Sequence, residues 1–343
     1  MSWQLLENGS DVIERIDHPH LKVPKAHIDL SNVKVVDTFL SSIESKILAE
    51  ASTPSDVETA MRNLFAVLHL ARRSMDQDNW HNFVDHCRNH KIKDTLHQDC
   101  FTRHSFERPR GYPGDAALLD FIYNSDMGLA APEMSLAGQR IHPWTINSTA
   151  CNGVKERRAL IARLIDETVA RSPGAEILSI AGGHFREAEL SLAVRRKQTK
   201  RVLVVDSDRQ SLDEVEDAYG HFGVETHEAA ALSLVSGKMD YGKFDLIYSS
   251  GLFDYLKAST CKRLVHTWFS MLKPGGKLLV TNFLDWVETV GYMETFMNWN
   301  LVFRNRIEMV EMAAKIDEKD ISEIRLFSEN NNNVIYMLIE KAA

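Results

Sequence analysis

Glu176-Ile-Leu-Ser-Ile-Ala-Gly-Gly-His184 and Arg201-Val-Leu-Val-Val-Asp206 are the two stretches on which the fold turns. In each, a short and largely apolar run ends on a residue of a different kind: two glycines after the first, an acid after the second. Runs that are apolar throughout, rather than alternating, read as strands covered on both faces. Working outward, residues 225–231, 244–249 and 277–282 read as further strands. Residues 184–195, 210–221 and 261–272 have helical spacing. Short strands alternating with helices of ten to fifteen residues predict a parallel sheet with helices on both faces, an α/β fold. Two last runs, 323–327 and 334–340, flank Ser328-Glu-Asn-Asn-Asn-Asn333. That is a hairpin signal, so the last strand should run antiparallel to its neighbour.

The N-terminal third has a different texture. Ser55 to Arg72 places Val57, Met61, Leu64, Phe65 and Leu68 on one helical face, and Val33 to Ala49 does the same with Phe39, Leu40, Ile43 and Ile47. Residues 105–155 then gather Pro109, Gly111, Pro113, Gly114, Pro132, Gly138 and Pro143 around one short apolar run, Ala116 to Tyr123. Such a segment reads as loops and a short helix, and long ordered loops are often functional. The expected organisation is a mainly helical cover or substrate domain over residues 1–136 and a ligand-binding α/β domain over 137–343.

The whole chain has 343 residues, 44% hydrophobic and 26% charged, enough apolar material for a sizeable core. A net charge of −8 argues against nucleic acid or an anionic membrane as the main partner, because phosphate contacts need clustered Lys and Arg. Cys87, Cys100, Cys151 and Cys261 have no CxxC spacing and read as reduced thiols. The first twenty residues lack a basic segment followed by an apolar run, and no apolar stretch approaches the roughly 20 residues that span a bilayer. The expectation is a soluble cytoplasmic protein acting on a small molecule. His81, His86, His90, His97 and His104, with Cys87 and Cys100, crowd one segment, but the glutamate of HExxH is missing and no third ligand is evident. No metal is expected. The aromatic series Tyr292, Phe296, Trp299 and Phe303 has helical spacing and reads first as core, with a wall around a cationic ligand as the sharper alternative.

In an open α/β sheet, ligands bind beyond the C-terminal strand ends, near the point where strand order reverses. After the first strand, Gly182 and Gly183 let the backbone approach a ligand. Asp206 closes the second strand, 23 residues after Gly183, where an acid accepts both hydroxyls of a ribose. Asp208 is the backup, and helix capping is the plainer reading of either acid. Together these features favour a nucleoside ligand. A dinucleotide site usually shows GxGxxG, and Ala181-Gly-Gly-His-Phe-Arg186 lacks the third glycine.

The stretch Leu272-Lys-Pro-Gly-Gly-Lys-Leu-Leu-Val280, between a helix and the fifth strand, together with an antiparallel last strand, resembles class I S-adenosylmethionine-dependent methyltransferases. That resemblance implies a Rossmann-like seven-stranded sheet. A narrower likeness lies in Asp99-Cys-Phe-Thr-Arg-His-Ser-Phe-Glu-Arg-Pro-Arg-Gly-Tyr-Pro-Gly-Asp115, in Ser249-Ser-Gly-Leu-Phe-Asp-Tyr-Leu256 and in Met293-Glu-Thr-Phe-Met-Asn-Trp-Asn-Leu-Val-Phe-Arg304. These are similar to a bacterial group labelled extracellular-factor or 3-hydroxypalmitate methyl ester biosynthesis methyltransferases. The group's glycine loop more often has a cysteine and a proline where this chain has Ala181 and His184. By the resemblance, Gly182 and Gly183 flank the methionine part of S-adenosylmethionine, Asp206 with Ser207 holds the ribose, and Ala230, Ala231 and Leu232 frame the adenine. Ser249, Ser250 and Gly251 face the reacting centre, and Tyr112 and Asp115 reach over the ligand. Asn147 and Arg158 take its amino and carboxylate groups.

Methyl transfer is an in-line displacement in which the protein mainly aligns the acceptor and excludes water. The first reading is transfer to a carboxylate or other small molecule, positioned by His184, Tyr255 or Asp254. Relatives of the group also include synthases that cyclise S-adenosylmethionine to azetidine-2-carboxylate with release of methylthioadenosine. Asn147, His142, His184 and Ser211 are the places for such contacts, with Tyr112 above them. A third reading, from another class, is a non-catalytic ligand-binding regulator.

Overall fold

The computed structural model describes residues 29–127, 132–236 and 241–343. The reading of the first twenty residues lies outside them. Contacts divide the chain into two compact units. The helical unit takes the described residues up to Asn152 together with Val287–Asn300, and the sheet unit takes Gly153–Trp286 with Leu301–Ala343.

The helical unit contains α1 (Val33–Leu48), α2 (Pro54–Ser74), α3 (Gln77–Asn89), α4 (Ile92–Leu96), α5 (Cys100–Glu107), α6 (Ala116–Met127) and α7 (Leu136–Thr145). A long helix, α8 (Thr149–Arg171), starts here and continues into the sheet unit. The chain dictates where these helices start. Asn32 caps α1, and Thr53 with Asp56 forms a capping box on α2 behind Pro54. The expected face of α2 is buried throughout. On α1, Leu40, Ile43 and Ile47 are buried as expected, but Val36 takes the fourth place and Phe39 is half-exposed.

The division at 152/153 lies beyond the 136/137 expected from composition, and residues 287–300 return to the helical unit. Local packing explains both. On α7, a Cβ at Gly138 would come within 2.2 Å of the Gln98 carbonyl oxygen, and Arg140 donates to the last carbonyls of α1, Ile47 and Ala49. The returning segment, α12 (Val290–Phe296), lies so close to α2 that a Cβ at Gly291 would sit 2.5 Å from Leu68 backbone atoms. Its Glu294 carboxylate accepts from Trp80 Nε1 at 2.6 Å and Arg72 Nε at 2.8 Å. Tyr292, Phe296 and Trp299 of the aromatic series are buried, with Tyr292 stacked on Phe65 at 4.3 Å, while the helix stops at Phe296 and Phe303 is half-buried.

The sheet unit has seven strands: β1 (Glu176–Ile180), β2 (Arg201–Asp206), β3 (Val224–Glu228), β4 (Phe244–Ser249), β5 (Leu272–Phe283), β6 (Ile321–Ser328) and β7 (Val334–Lys341). Their order is β3-β2-β1-β4-β5-β7-β6. The first five pair in parallel, and β7 runs antiparallel between β5 and β6, as the hairpin signal required. Its intervening helices include α9 (Leu192–Arg195), α10 (Arg209–Tyr219) and α11 (Ala258–Ser270), with α13 (Arg306–Val310) before the hairpin. The apolar strand runs are buried on both faces, and Trp268 of α11 lies wholly inside against Phe253, at 5.7 Å between rings.

Two segments differ from the periodicity. Residues 184–195 are not one helix. Phe185 sits at φ +52°, Arg186–Glu189 makes a single 3-10 turn, and only the short α9 follows. The polar groups of this stretch are held individually. Tyr248 donates to Glu187 at 2.6 Å, Tyr219 donates to Glu189 at 2.7 Å, and Asp166 accepts from Ser191 and from the first amides of α9. Strand β5 begins before Pro274 and passes it with a register shift opposite Phe244 to Leu246. Among the described residues, no helix is long and apolar enough to cross a membrane.

Candidate functional site

The strand order reverses between β1 and β4, both of which are paired in parallel, and this is where the C-terminal strand ends leave a crevice. After β1 the chain turns sharply, with Ala181 at φ +53° and Gly183 at φ +52°. Gly182 has no room for a side chain: a Cβ would meet Val204 Cγ1 at 2.6 Å and Ser179 Oγ at 2.8 Å.

Asp206 meets this turn directly. Its Oδ2 accepts from the Gly183 amide at 2.8 Å and its Oδ1 from the Asp208 amide at 2.9 Å. Each oxygen keeps a lone pair for a further donor. Burial pushes the carboxyl above its ordinary value, against the two amides that favour the anion, and Asp208 adds repulsion. The end of β3 is fastened to the same place, since the Ala229 amide donates to the Asp206 carbonyl at 2.8 Å. Ala230 is exposed and Ala231 half-buried, while Ser207 is exposed. Asp208 caps α10 through the Gln210 amide and accepts the Ser211 hydroxyl at 2.8 Å. Ser211 is fully buried in that role, so its hydroxyl faces its own helix cap.

At the end of β4, Ser249 is buried, and its hydroxyl has no hydrogen-bond partner among the described residues. Ser250 and Gly251 are half-buried. Gly251 has φ +99°, and the Arg157 guanidinium lies beside it, with Nη1 3.5 Å, Nη2 3.8 Å and Cζ 3.9 Å from the place of a Cβ. Tyr255 is exposed over about a third of its surface, at 37%, and His184 is buried beside the glycine turn. Asp254 points inward: it accepts from the Phe283 amide at 2.7 Å. Burial pushes its carboxyl up to about 7, although the Phe283 amide and the charges of Arg157 and Arg304 favour the anion. It is therefore a support for the turn rather than an acceptor-positioning group. Arg158 is buried too and approaches Glu189 at 3.8 Å.

Four residues expected at the site belong to the helical unit. Tyr112 is exposed. Asp115 is buried, its carboxylate held by the Leu118 amide at 2.7 Å and by His104 Nε2 at 3.0 Å, so it works as a helix cap rather than reaching over a ligand. Asn147 is exposed, donates to the Pro143 carbonyl at 2.7 Å, and lines a cavity of about 650 Å³ with Phe65 and Trp144. His142 is buried and ion-paired with Asp99 at 2.7 Å, which removes it from ligand contact.

Asp99, Cys100 and His142 are also a close grouping of metal-ligating atoms among the described residues. Both Asp99 oxygens are already engaged, by the Phe101 and Thr102 amides, the Thr102 and Thr145 hydroxyls and His142. Burial alone would lower the His142 pKa, but the Asp99 carboxylate, helped by Cys100, outweighs it and pushes the imidazole up to about 9. A histidine that titrates higher in the folded state than in the unfolded chain, where its value is about 6.5, stabilises fully below that value. The stability is lost as pH rises through about 9. Urea midpoints of the protein should therefore fall between those limits, and His142→Gln should remove that part of the pH dependence. An unchanged profile in the variant would refute the assignment. Three other histidines of the segment have partners: His86 pairs with Asp37, His90 with Ser41, and His97 with the Phe296 carbonyl.

Sequence reasoning missed Arg157, Glu187 and Arg304. Arg157 stands next to Arg158, and only the phase of α8 decides which of the two lies against Gly251.

Residues 178–276 match a family model described as Methyltransferase domain. No curated protein matches the chain. Among solved structures, it is similar to a possible exported protein from Bordetella parapertussis, at 15% identity and TM-score 0.54, covering 94% of this chain and 100% of that one. It is also similar to the N-methyltransferase NodS from Bradyrhizobium japonicum WM9 in complex with S-adenosyl-L-homocysteine, at 15% identity and TM-score 0.41, over 55% of this chain and 88% of that one. Magnesium protoporphyrin IX methyltransferase from Synechocystis PCC 6803 with bound S-adenosylmethionine aligns at 10% identity and TM-score 0.43, over 73% and 97% of the two chains. The seven-stranded order with its antiparallel β7, and the family match across β1 to β5, identify the sheet unit as a class I methyltransferase, Rossmann-like fold.

Proposed function

We propose that the protein binds S-adenosylmethionine as a substrate and transfers its methyl group to a carboxylate or another small-molecule acceptor. The observation that carries this reading is Asp206. It is a buried carboxylate at the end of β2, fixed by two amides and holding the glycine turn, with acceptor capacity left over. A ribose diol fits that donor–acceptor pattern, since its two hydroxyls need two acceptors once removed from water. Gly182 lets the turn pack directly on Val204 and Ser179, which holds the Gly183 amide against Asp206. The sulfonium supplies an activated methyl carbon, so the chain's own residues have to bind, orient and exclude water rather than form a covalent intermediate. His184, buried beside the turn, and Tyr255, reachable from solvent, are the groups proposed to orient the acceptor.

The same binding mode serves cyclisation of S-adenosylmethionine, and His184 at the glycine turn is the departure that keeps this second reading in view. Incubation with S-adenosylmethionine, with and without a panel of small carboxylic acids, separates them. S-adenosylhomocysteine appearing only with an acceptor is the expected result. Enzyme-dependent methylthioadenosine without an acceptor would assign cyclisation instead. Binding without either product would make the protein a ligand-binding regulator.

A further inference from the structure

The helical unit carries a cavity that the proposed methyl transfer does not use. It measures about 650 Å³, within the size range of small-molecule sites, and every residue of its lining belongs to this one unit. Two helices build its walls. From α7 come Leu136, Arg140, Pro143 and Trp144, which share one face at i, i+4, i+7 and i+8. From α2 come Glu58, Arg62 and Phe65, again at helical spacing. Phe65 meets Trp144 edge-on at 6.1 Å.

The charges of the lining are of two kinds. Glu58 and Arg62 answer each other, with Arg62 Nη2 donating to Glu58 at 2.6 Å, and the Arg62 guanidinium also lies over the Trp144 ring at 5.2 Å. Arg140 is half-buried and differs. Its Nη1 donates to the Ile47 and Ala49 carbonyls at 2.8 and 3.0 Å, which fixes it at the C-terminal end of α1, a favourable place for a cation. Among the described residues, no carboxylate lies within ion-pair distance of Arg140, Glu58 and Glu288 of the lining included. Its Nε–Nη2 edge makes no hydrogen bond among them either. That edge carries two parallel N–H donors, the pattern that the two oxygens of a carboxylate match.

We propose that this cavity binds a small aromatic carboxylate, with the carboxylate on the Nε–Nη2 edge of Arg140 and the ring among Phe65, Leu136, Pro143 and Trp144. A guanidinium already held by two carbonyls loses little freedom on pairing. Rings in the wall favour a ring in the ligand, because edge-to-face contacts add to the apolar area buried. The inference does not rest on the nucleoside reading.

Titration calorimetry of the full chain with 2-naphthoate, and with 2-naphthalenemethanol as its uncharged counterpart, tests the assignment. The acid should bind once per chain with a Kd on the order of 0.1 mM, and the alcohol about tenfold more weakly. Arg140→Gln should weaken the acid about tenfold, to the level of the alcohol, and leave the alcohol within about threefold. Loss of the α1 contacts alone would not produce that selectivity. Leu136→Trp enlarges a lining side chain that is 61% exposed and leaves the Arg140 bonds in place. It should weaken both probes, and it serves if the Arg140 variant does not fold. An excess of S-adenosylhomocysteine should leave the affinity for 2-naphthoate unchanged. No binding of 2-naphthoate up to about 2 mM, or equal affinity of the wild type for acid and alcohol, overturns the proposal. So does full retention of acid binding by either variant, or displacement of 2-naphthoate by S-adenosylhomocysteine, which would assign the cavity to the nucleoside.

Discussion

Asp206→Ala should abolish measurable binding of S-adenosylhomocysteine at the concentrations that saturate the wild-type protein. The variant removes the acceptors proposed for both ribose hydroxyls. A hydrogen bond to a charged group is worth about 1.5–3 kcal/mol, so losing two amounts to about 3 kcal/mol or more, at least ~100-fold in affinity. The substitution also releases the Gly183 and Asp208 amides, which Asp206 holds at 2.8 and 2.9 Å, and so loosens the glycine turn. Asp206→Asn separates the two effects. It keeps one oxygen for an amide and loses the charge, and an intermediate affinity is expected. Titration calorimetry on variants whose far-ultraviolet circular dichroism matches the wild type is the measurement. Binding by Asp206→Ala within about threefold of wild type would be incompatible with a ribose at this carboxylate, and the proposed function would fall with it.

The largest effect on stability is expected at Arg304, which is buried beneath the turn that carries Tyr255. Its side chain is 3% exposed. Nη1 donates to the Phe253 carbonyl at 2.7 Å and to Asn282 Oδ1, and Nη2 donates to the Leu256 carbonyl. These bonds tie the turn after β4 to the end of β5. Asn282 in turn donates to the Val302 carbonyl at 2.8 Å, and the Val302 amide donates to the Asp254 backbone carbonyl at 2.7 Å, which closes the arrangement. Arg304→Met removes a buried cation, orphans three acceptors and leaves Asp254 with less support for its anion. Breaking such a buried polar set by removing one partner costs about 3–5 kcal/mol. The midpoint of urea unfolding should drop accordingly with little change in the slope. A loss under about 1 kcal/mol would show that water reaches these carbonyls and that the turn is not held from below.

Much of the sheet unit was legible because its signals are local. The apolar runs of β1, β2 and β4 have few alternatives to buried strands, and a glycine pair or an acid at a strand end can be located by counting. The antiparallel pairing of β6 with β7 followed from one asparagine-rich turn. The segment after Gly183 was not legible in this way. Its spacing suits a helix, but Glu187 finds Tyr248 and Glu189 finds Tyr219, residues 61 and 30 positions away, and those partners fix a 3-10 turn instead. Ligand contacts at Asp115 and His142 are what the resemblance implies. Each is bound to a partner in the helical unit, His104 for one and Asp99 for the other, that spacing along the chain does not reveal.

The sequence by itself determined the strand–helix alternation, the α/β class of the second half, the glycine turn and the acid that faces it. All of these depend on hydrophobic pattern and on residues whose backbone or capping preferences act over a few positions. Only the tertiary structure decided which of two adjacent arginines lies against Gly251, that residues 287–300 belong with the helices, and that Asp254 and Arg304 hold the β4 turn from below. Those outcomes depend on how buried charges and polar groups find partners across long separations. A buried group left without one costs more than any local preference can offset.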